Sequence, residues 1–144
     1  MTTTPHALQR IIGFYRQLDI CTPAQLADFY HQDVVLHDPL GEHRGLVQLC
    51  DYFNGLVKRT RYCHFDVHHI LSDDQHATLL WRMDYAHPRL RRGAALTLQG
   101  CSWLEFKHER VCFQHDFYDM GALLYEQLPL LRQGIHFLKT RLAP

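Results

Sequence analysis

The chain has 144 residues, of which 47% are apolar, 12% aromatic and 21% charged. That composition supports one folded domain over 1–144 with a real core, and it excludes intrinsic disorder, collagen-like repeats and coiled coil. Fifteen Lys and Arg balance fifteen Asp and Glu, so the formal net charge is zero, and the basic excess of a nucleic-acid binder is missing. Twelve histidines make the charge climb as pH falls below about 6.5.

Thr4-Pro5 opens a first helix, with Leu8, Ile11, Ile12, Tyr15 and Leu18 on one face. Thr22-Pro23-Ala24-Gln25 fits a capping box for a short second helix that buries Leu26, Phe29 and Tyr30. Asp33 to Asp38 reads as a brief strand ended by Pro39, and Leu40 to Gly45 as a turn. Leu46, Leu49, Cys50, Phe53 and Val57 then mark a third helix. From Tyr62 the period becomes two, with Cys63, Phe65 and Val67 alternating against His64, Asp66 and His68. A turn at 72–75, a strand from Ala77 to His87 stopped by Pro88, a strand over Ala94 to Phe106, and a strand from Val111 to Tyr118 follow. Gly121 to Leu131 and Ile135 to Leu142 read as helical, with Asp119 as the N-cap of the first. The second stretch is one-sidedly apolar and is expected to pack across the end of the sheet or onto a partner. Helices first and an antiparallel meander after them make the fold class α+β.

The five cysteines are odd in number and form no CxxC pair, so they are expected to be reduced, buried thiols. The first residues lack the features of a signal peptide, and no apolar run approaches the roughly 18 residues of a membrane helix. The expected location is cytoplasmic, with no membrane partner. His64 and His68, four apart on a strand, are separated by about 13 Å, too far to share one ion, and no metal site is expected. Arg89, Arg91 and Arg92 after Pro88 read as a solvated loop, with anion binding or a place at a pocket rim as the alternative.

The element order, with Asp38-Pro39-Leu40-Gly41 and Arg44-Gly45 before the third helix and Gln114-His115-Asp116-Phe117-Tyr118-Asp119-Met120-Gly121 at the end of the last strand, resembles the NTF2-like superfamily. The nearest members are SnoaL-like proteins, a group that includes polyketide cyclases, ketosteroid isomerases and limonene-epoxide hydrolases. The resemblance covers essentially the whole chain. It implies a curved, mostly antiparallel sheet wrapped as a cone on the N-terminal helices, with a C-terminal helix. It also implies a small apolar ligand in the cone, no cofactor, and a homodimer formed through the outer sheet face. Because this fold hosts enzymes and binders alike, two functions stand. One is a cofactor-free enzyme using carboxylate acid/base chemistry, of isomerase, cyclase, dehydratase or epoxide hydrolase type. The other is a non-catalytic ligand-binding or dimeric interaction module.

Site residues follow from the same resemblance. Asp38 matches the segment that carries the catalytic aspartate of ketosteroid isomerases, and the following proline holds it extended. The isomerase oxyanion hole is not matched, since Phe14 stands where the tyrosine is expected and Cys101-Ser102-Trp103 offers no acid. Asp116 matches the last-strand aspartate of the cyclases and epoxide hydrolases. Arg82-Met83-Asp84 is similar to the Arg-x-Asp of the hydrolases, with Asp84 as acid and Arg82 as bridge. Tyr15, His37, Phe53, Trp103 and Tyr118 are the implied substrate contacts. The residues themselves allow a plainer reading. Leu79, Trp81, Met83 and Tyr85 alternate with Arg82 and Asp84, which sends the charged pair to solvent unless the apolar face is the outer one, covered by a second subunit. Asp116 is either a pocket base or an edge-strand carboxylate paired with Arg110 or a histidine. Asp38 is either a base or a turn residue bonding nearby amides.

Overall fold

The computed structural model describes residues 4–123 and 129–144. The elements are α1 (Thr4–Arg16), α2 (Pro23–Leu26), β1 (Tyr30–Asp38), β2 (Gly41–Arg44), α3 (Gly45–Arg59), β3 (Tyr62–Ser72), β4 (His76–Ala86), a 3-10 turn at Arg91–Gly93, β5 (Leu96–Lys107), β6 (Arg110–Tyr118), α4 (Met120–Leu123) and α5 (Pro129–Leu142). The six strands form one curved, unclosed sheet in the order β2-β1-β6-β5-β4-β3. Every pair is antiparallel except β1 with β6. The architecture is α+β, as the element order predicts.

Local chemistry accounts for most boundaries. The capping box at α2 forms in full, with Thr22 accepting from the Gln25 amide and Gln25 accepting from the Thr22 amide. Asp73 Oδ1 accepts from the amides of Gln75 and His76 and closes the β3–β4 turn. At the β5–β6 turn, His108 and Glu109 both have positive φ, 52° and 61°, the twist a two-residue hairpin requires. Asp119 accepts from the Gly121 amide, as a capping residue does.

The structure departs from the sequence reading at several places. β1 begins at Tyr30, three residues earlier than the alternation suggests, because Tyr30 is fully buried and pairs with Val111 of β6. Residues 41–44 are a short strand folded back on β1, not a plain turn. α5 runs unbroken through 129–142, and residues 124–128 of the helix expected over Gly121 to Leu131 lie outside the described residues. The helix leaves Leu130, Phe137 and Leu142 exposed, so the packing expected for its apolar face is not seen among the described residues. Of the five cysteines, Cys50 alone is buried and the others are half-buried: Cys21 lies in the connection before α2, and the other three stand at strand positions that face outward or lie at the margin of the core. Burial pushes the Cys63 thiol up to about 12.

α1 packs on β3 and β4, and α3 on β1, β2 and β3. Both helices cover one face of the sheet, where Ile11, Leu49 and Phe53 meet Leu36, Leu79, Leu104 and Val111. On β4 the residues on this inner face are Leu79, Trp81, Met83 and Tyr85. That stripe faces the helices, so it is not the outer surface that a second subunit would cover.

Trp81 sits directly opposite Gly100 in the β4–β5 register, and its indole lies where a side chain at position 100 would be. The glycine is needed for that approach. Gly100→Ala is expected to cost about 1–3 kcal/mol by overpacking and to displace the indole. A lowered thermal midpoint together with a changed tryptophan emission would show it, and an unchanged midpoint would mean the ring relaxes freely.

Candidate functional site

Between the helices and the inner sheet face lies a cavity of about 660 Å³, within the roughly 300–1,000 Å³ of small-molecule sites. Its walls are mostly apolar, from Phe53, Leu56, Phe65, Val67, Leu79, Met83 and Leu98. Three of its polar groups, Ser102, Gln114 and Asp116, converge on one place. β5 and β6 set Ser102 opposite Asp116, and β4 sets Leu79 opposite Ser102, with Trp81 two residues on.

Asp116 is the centre of a directed hydrogen-bond network. Its Oδ1 accepts from Ser102 Oγ at 2.5 Å and from Gln114 Nε2 at 2.9 Å. Ser102 Oγ in turn accepts from Trp81 Nε1 at 2.9 Å. Gln114 is fixed by two buried phenols. Tyr30 donates to its Oε1 at 2.8 Å, while its Nε2 donates to Tyr15 at 2.7 Å. The two hydroxyls lie 2.8 Å apart, so Tyr15 donates to Tyr30 and the triangle closes. The amide orientation that donates to Tyr15 also points its NH₂ group at Asp116, and the flipped amide would set Oε1 against the carboxylate. Among the described residues, Asp116 Oδ2 has no hydrogen-bond partner, and Asp116 lines the cavity.

Electrostatics follow from that placement. Burial pushes the Asp116 carboxyl up to about 6; the bonds from Ser102 and Gln114 pull it back, and the charge of Asp38 pushes it up again. Burial also raises the phenols of Tyr15, Tyr52 and Tyr118, with the charges of Asp38 and Asp116 adding to it. These phenols are neutral donors at any ordinary pH. Asp38 itself is buried at the end of β1. Its Oδ1 accepts from the amides of Leu40 and Gly41 at 2.9 and 3.0 Å, and its Oδ2 is buried without a partner. Asp38 is thus a turn residue bonding nearby amides; it does not line the cavity, though its charge is felt by the phenols there.

The structure brings together Tyr15, Phe53, Asp116 and Tyr118 at the cavity. It does not bring the others there. Arg82 and Asp84 pair with each other at 3.0 Å on the outer face, where Asp84 also accepts from Thr97. His37 pairs with Glu42 at 3.0 Å and lies beside Phe113 and His115, and Trp103 stacks on His76. All of these have the outward parity of their strands. Arg110 is not the partner of Asp116 but donates to the Ala27 carbonyl, and β6 is an interior strand. Gln114, Ser102, Trp81 and Tyr30 were not singled out from the sequence. The available signal was parity, since Ser102 interrupts the inward stripe Leu98, Leu104 and Phe106. Among the described residues, no group of three or more His, Cys, Asp or Glu is placed to hold a metal ion, and no helix is long and apolar enough to cross a membrane.

Solved structures share this architecture at low sequence identity. A protein with a ketosteroid isomerase-like fold from Catenulispora acidiphila, in complex with trimethylamine, superposes with a TM-score of 0.72 at 13% identity, over 88% of this chain and 94% of that one. A candidate SnoaL-like polyketide cyclase from Jannaschia sp. CCS1 gives 0.73 at 9% identity, over 87% and 91%. TerC, co-crystallised with polyporic acid, gives 0.70 at 13% identity, over 85% and 95%. No functionally curated protein matches the chain in sequence. The family model described as SnoaL-like domain matches residues 11–114, from the first helix to the glutamine that orients Asp116, and the chain belongs to that family.

Proposed function

We propose that this protein is a cofactor-free enzyme that uses Asp116 as general base on a small, largely apolar molecule held in the cavity. The observation that carries the proposal is a carboxylate on the wall of an apolar cavity, raised to about 6 by burial, with one oxygen bonded by Ser102 and Gln114 and the other without a hydrogen-bond partner among the described residues. A base is most effective when its pKa lies near the working pH, and perturbed carboxylates in clefts are where such chemistry concentrates. The reaction takes a proton onto Oδ2 from carbon or from water and returns it later from the same atom. Isomerisation, cyclisation, dehydration and epoxide hydrolysis all share that step. Tyr118 and Tyr52 supply neutral donors, and Asp38 acts through its charge. Arg82 and Asp84 have no part in this reading, because they pair on the outer face. The test is a screen with small epoxides, β,γ-unsaturated ketones and aromatic polyketide-like esters. For any substrate turned over, kcat/KM is expected to rise with pH and level off above about 6. A profile flat from pH 4 to 8 removes Asp116 as base.

A homodimer through the outer face is part of the same proposal. Leu80, Cys101 and Phe117 form one cross-strand row, and Thr78, Trp103, His115 and His37 the next. Leu80, Trp103 and Phe117 are exposed, which makes an apolar patch in the middle of the sheet. A dimer there would bury at least about 1,200 Å² in total. Light scattering that reports a monomer at micromolar concentration excludes it.

A further inference from the structure

The cavity has a charged end that the reading above does not use. Three of its lining residues are exposed, Leu40, Arg59 and Arg89, and they mark where it meets solvent. Arg59 ends α3 and Arg89 follows β4, and the two segments meet because Arg61 N–H donates to the Ala86 carbonyl at 2.7 Å and Tyr62 pairs with Ala86. Residues 52–65 and 85–104 together carry six Lys and Arg and no Asp or Glu, so in a neutral chain these two segments are locally positive.

The cations there are not equivalent. Arg61 packs its guanidinium on Gly93, in the space a side chain would occupy. It ties the loop, whose Arg91, Arg92 and Gly93 all have positive φ, to the start of β3. Leu90 anchors the loop in the core, buried against the cavity. That leaves Arg59 and Arg89, which make no side-chain hydrogen bond or ion pair among the described residues and line the cavity. His87 adds a donor. Its Nδ1 accepts from the Arg89 amide at 3.1 Å, so the proton of the neutral ring is on Nε2. Asp116 lies level with Leu79 in the sheet, eight residues along β4 from His87, which is roughly 25 Å in a straight strand and less in a curved one.

We propose that the rim formed by Arg59, Arg89 and His87 binds an anionic head group, so that the ligand is an amphiphile. Its apolar body fills the cavity toward Asp116, and its carboxylate stays at the basic end. Two guanidinium groups free of internal carboxylates suit one carboxylate in bidentate fashion, and the spacing keeps that negative end away from Asp116, which would repel it. The inference rests on the cavity being the ligand site. It adds that the substrate is anionic at one end, which selects carboxylate-bearing molecules over neutral ones.

The test is calorimetric titration of decanoate and 1-decanol at pH 8, against the wild type and against Arg59→Gln/Arg89→Gln. The two arginines are exposed, and their replacement leaves the core untouched. Decanoate is expected to bind the wild type about ten-fold tighter than decanol, an advantage that shrinks at high salt and disappears in the double variant while decanol binding is unchanged. Equal affinities of the two probes for the wild type, or a carboxylate preference that survives in the double variant, overturns the anion rim and leaves the cavity reading standing. Binding of neither probe overturns the rim and counts against the cavity reading as well. The salt dependence of the wild type alone decides the matter if the double variant does not fold.

Discussion

Asp116→Asn is expected to lose about 10²–10⁴-fold in kcat/KM on any substrate the wild type turns over, the range for removing a general base, while the protein gains stability. The asparagine oxygen can take the place of Oδ1 and keep the bonds from Ser102 and Gln114, so the cavity keeps its shape and only the basic oxygen is lost. The stability effect has a definite sign and window. The folded carboxyl titrates near 6, above its ordinary value of about 3.9. A raised carboxyl pKa favours folding below the unfolded value, and that advantage is lost as pH climbs through the folded one. Above pH 6 the wild type therefore carries a cost on the order of 1–3 kcal/mol, reduced by whatever water reaches the cavity, that the variant lacks. Urea denaturation at a series of pH values should show the two proteins equal near pH 3.5, diverging between pH 4 and 6, and separated by a constant gap above. Loss of activity with no gain in stability would mean that the carboxylate is solvated. Full activity in the variant would end its assignment as base.

Gln114→Leu is expected to be among the most damaging single changes in the chain, although the volumes match. Gln114 is 1% exposed and is the partner of Tyr15, Tyr30 and Asp116 together. Leucine leaves the two phenols one acceptor short and removes one of the two donors to a charged carboxylate. A neutral bond contributes about 1 kcal/mol and a bond to a charged group about 1.5–3, so the loss should be about 3 kcal/mol. The same change removes an interaction that lowers the Asp116 pKa, so the carboxyl should titrate above its wild-type value. Denaturant unfolding measures the first effect and NMR titration of the carboxyl carbon the second. A large stability loss with an unchanged Asp116 titration would show that the amide does not point at the carboxylate.

These two variants act on residues that were unequally legible in the sequence. Asp116 stood out because a charged residue at that point of a last strand, followed by Phe117-Tyr118-Asp119, has a counterpart in known families. Gln114 carries no such counterpart, and an uncharged polar residue beside Asp116 on an alternating strand suits solvent as well as a polar-lined pocket. Its meaning comes from Tyr15 and Tyr30, which are 99 and 84 residues away along the chain. Arg82 and Asp84 show the opposite case. As a tripeptide pattern they resembled a catalytic pair, yet simple alternation with Trp81 and Met83 already assigned them to the other face, and that local rule prevailed.

By itself the sequence determined the elements other than β2 and their order, because helix caps, proline stops and the change from a period near 3.6 to a period of two are properties of neighbouring residues. It also determined which strand residues share a face. What only the tertiary structure decided is which face is inside. The sheet curves toward α1 and α3, so the stripe Leu79, Trp81, Met83 and Tyr85 became the cavity wall and its polar counterpart the outer surface. Parity alone leaves that choice open, since reversing the curvature would exchange the two faces without changing one residue of the pattern. The raised carboxyl of Asp116 is decided at the same level. It depends on desolvation and on the charge of Asp38, which outweigh the donors from β5 and β6 that pull it back, all brought together by the tertiary fold and not by sequence spacing.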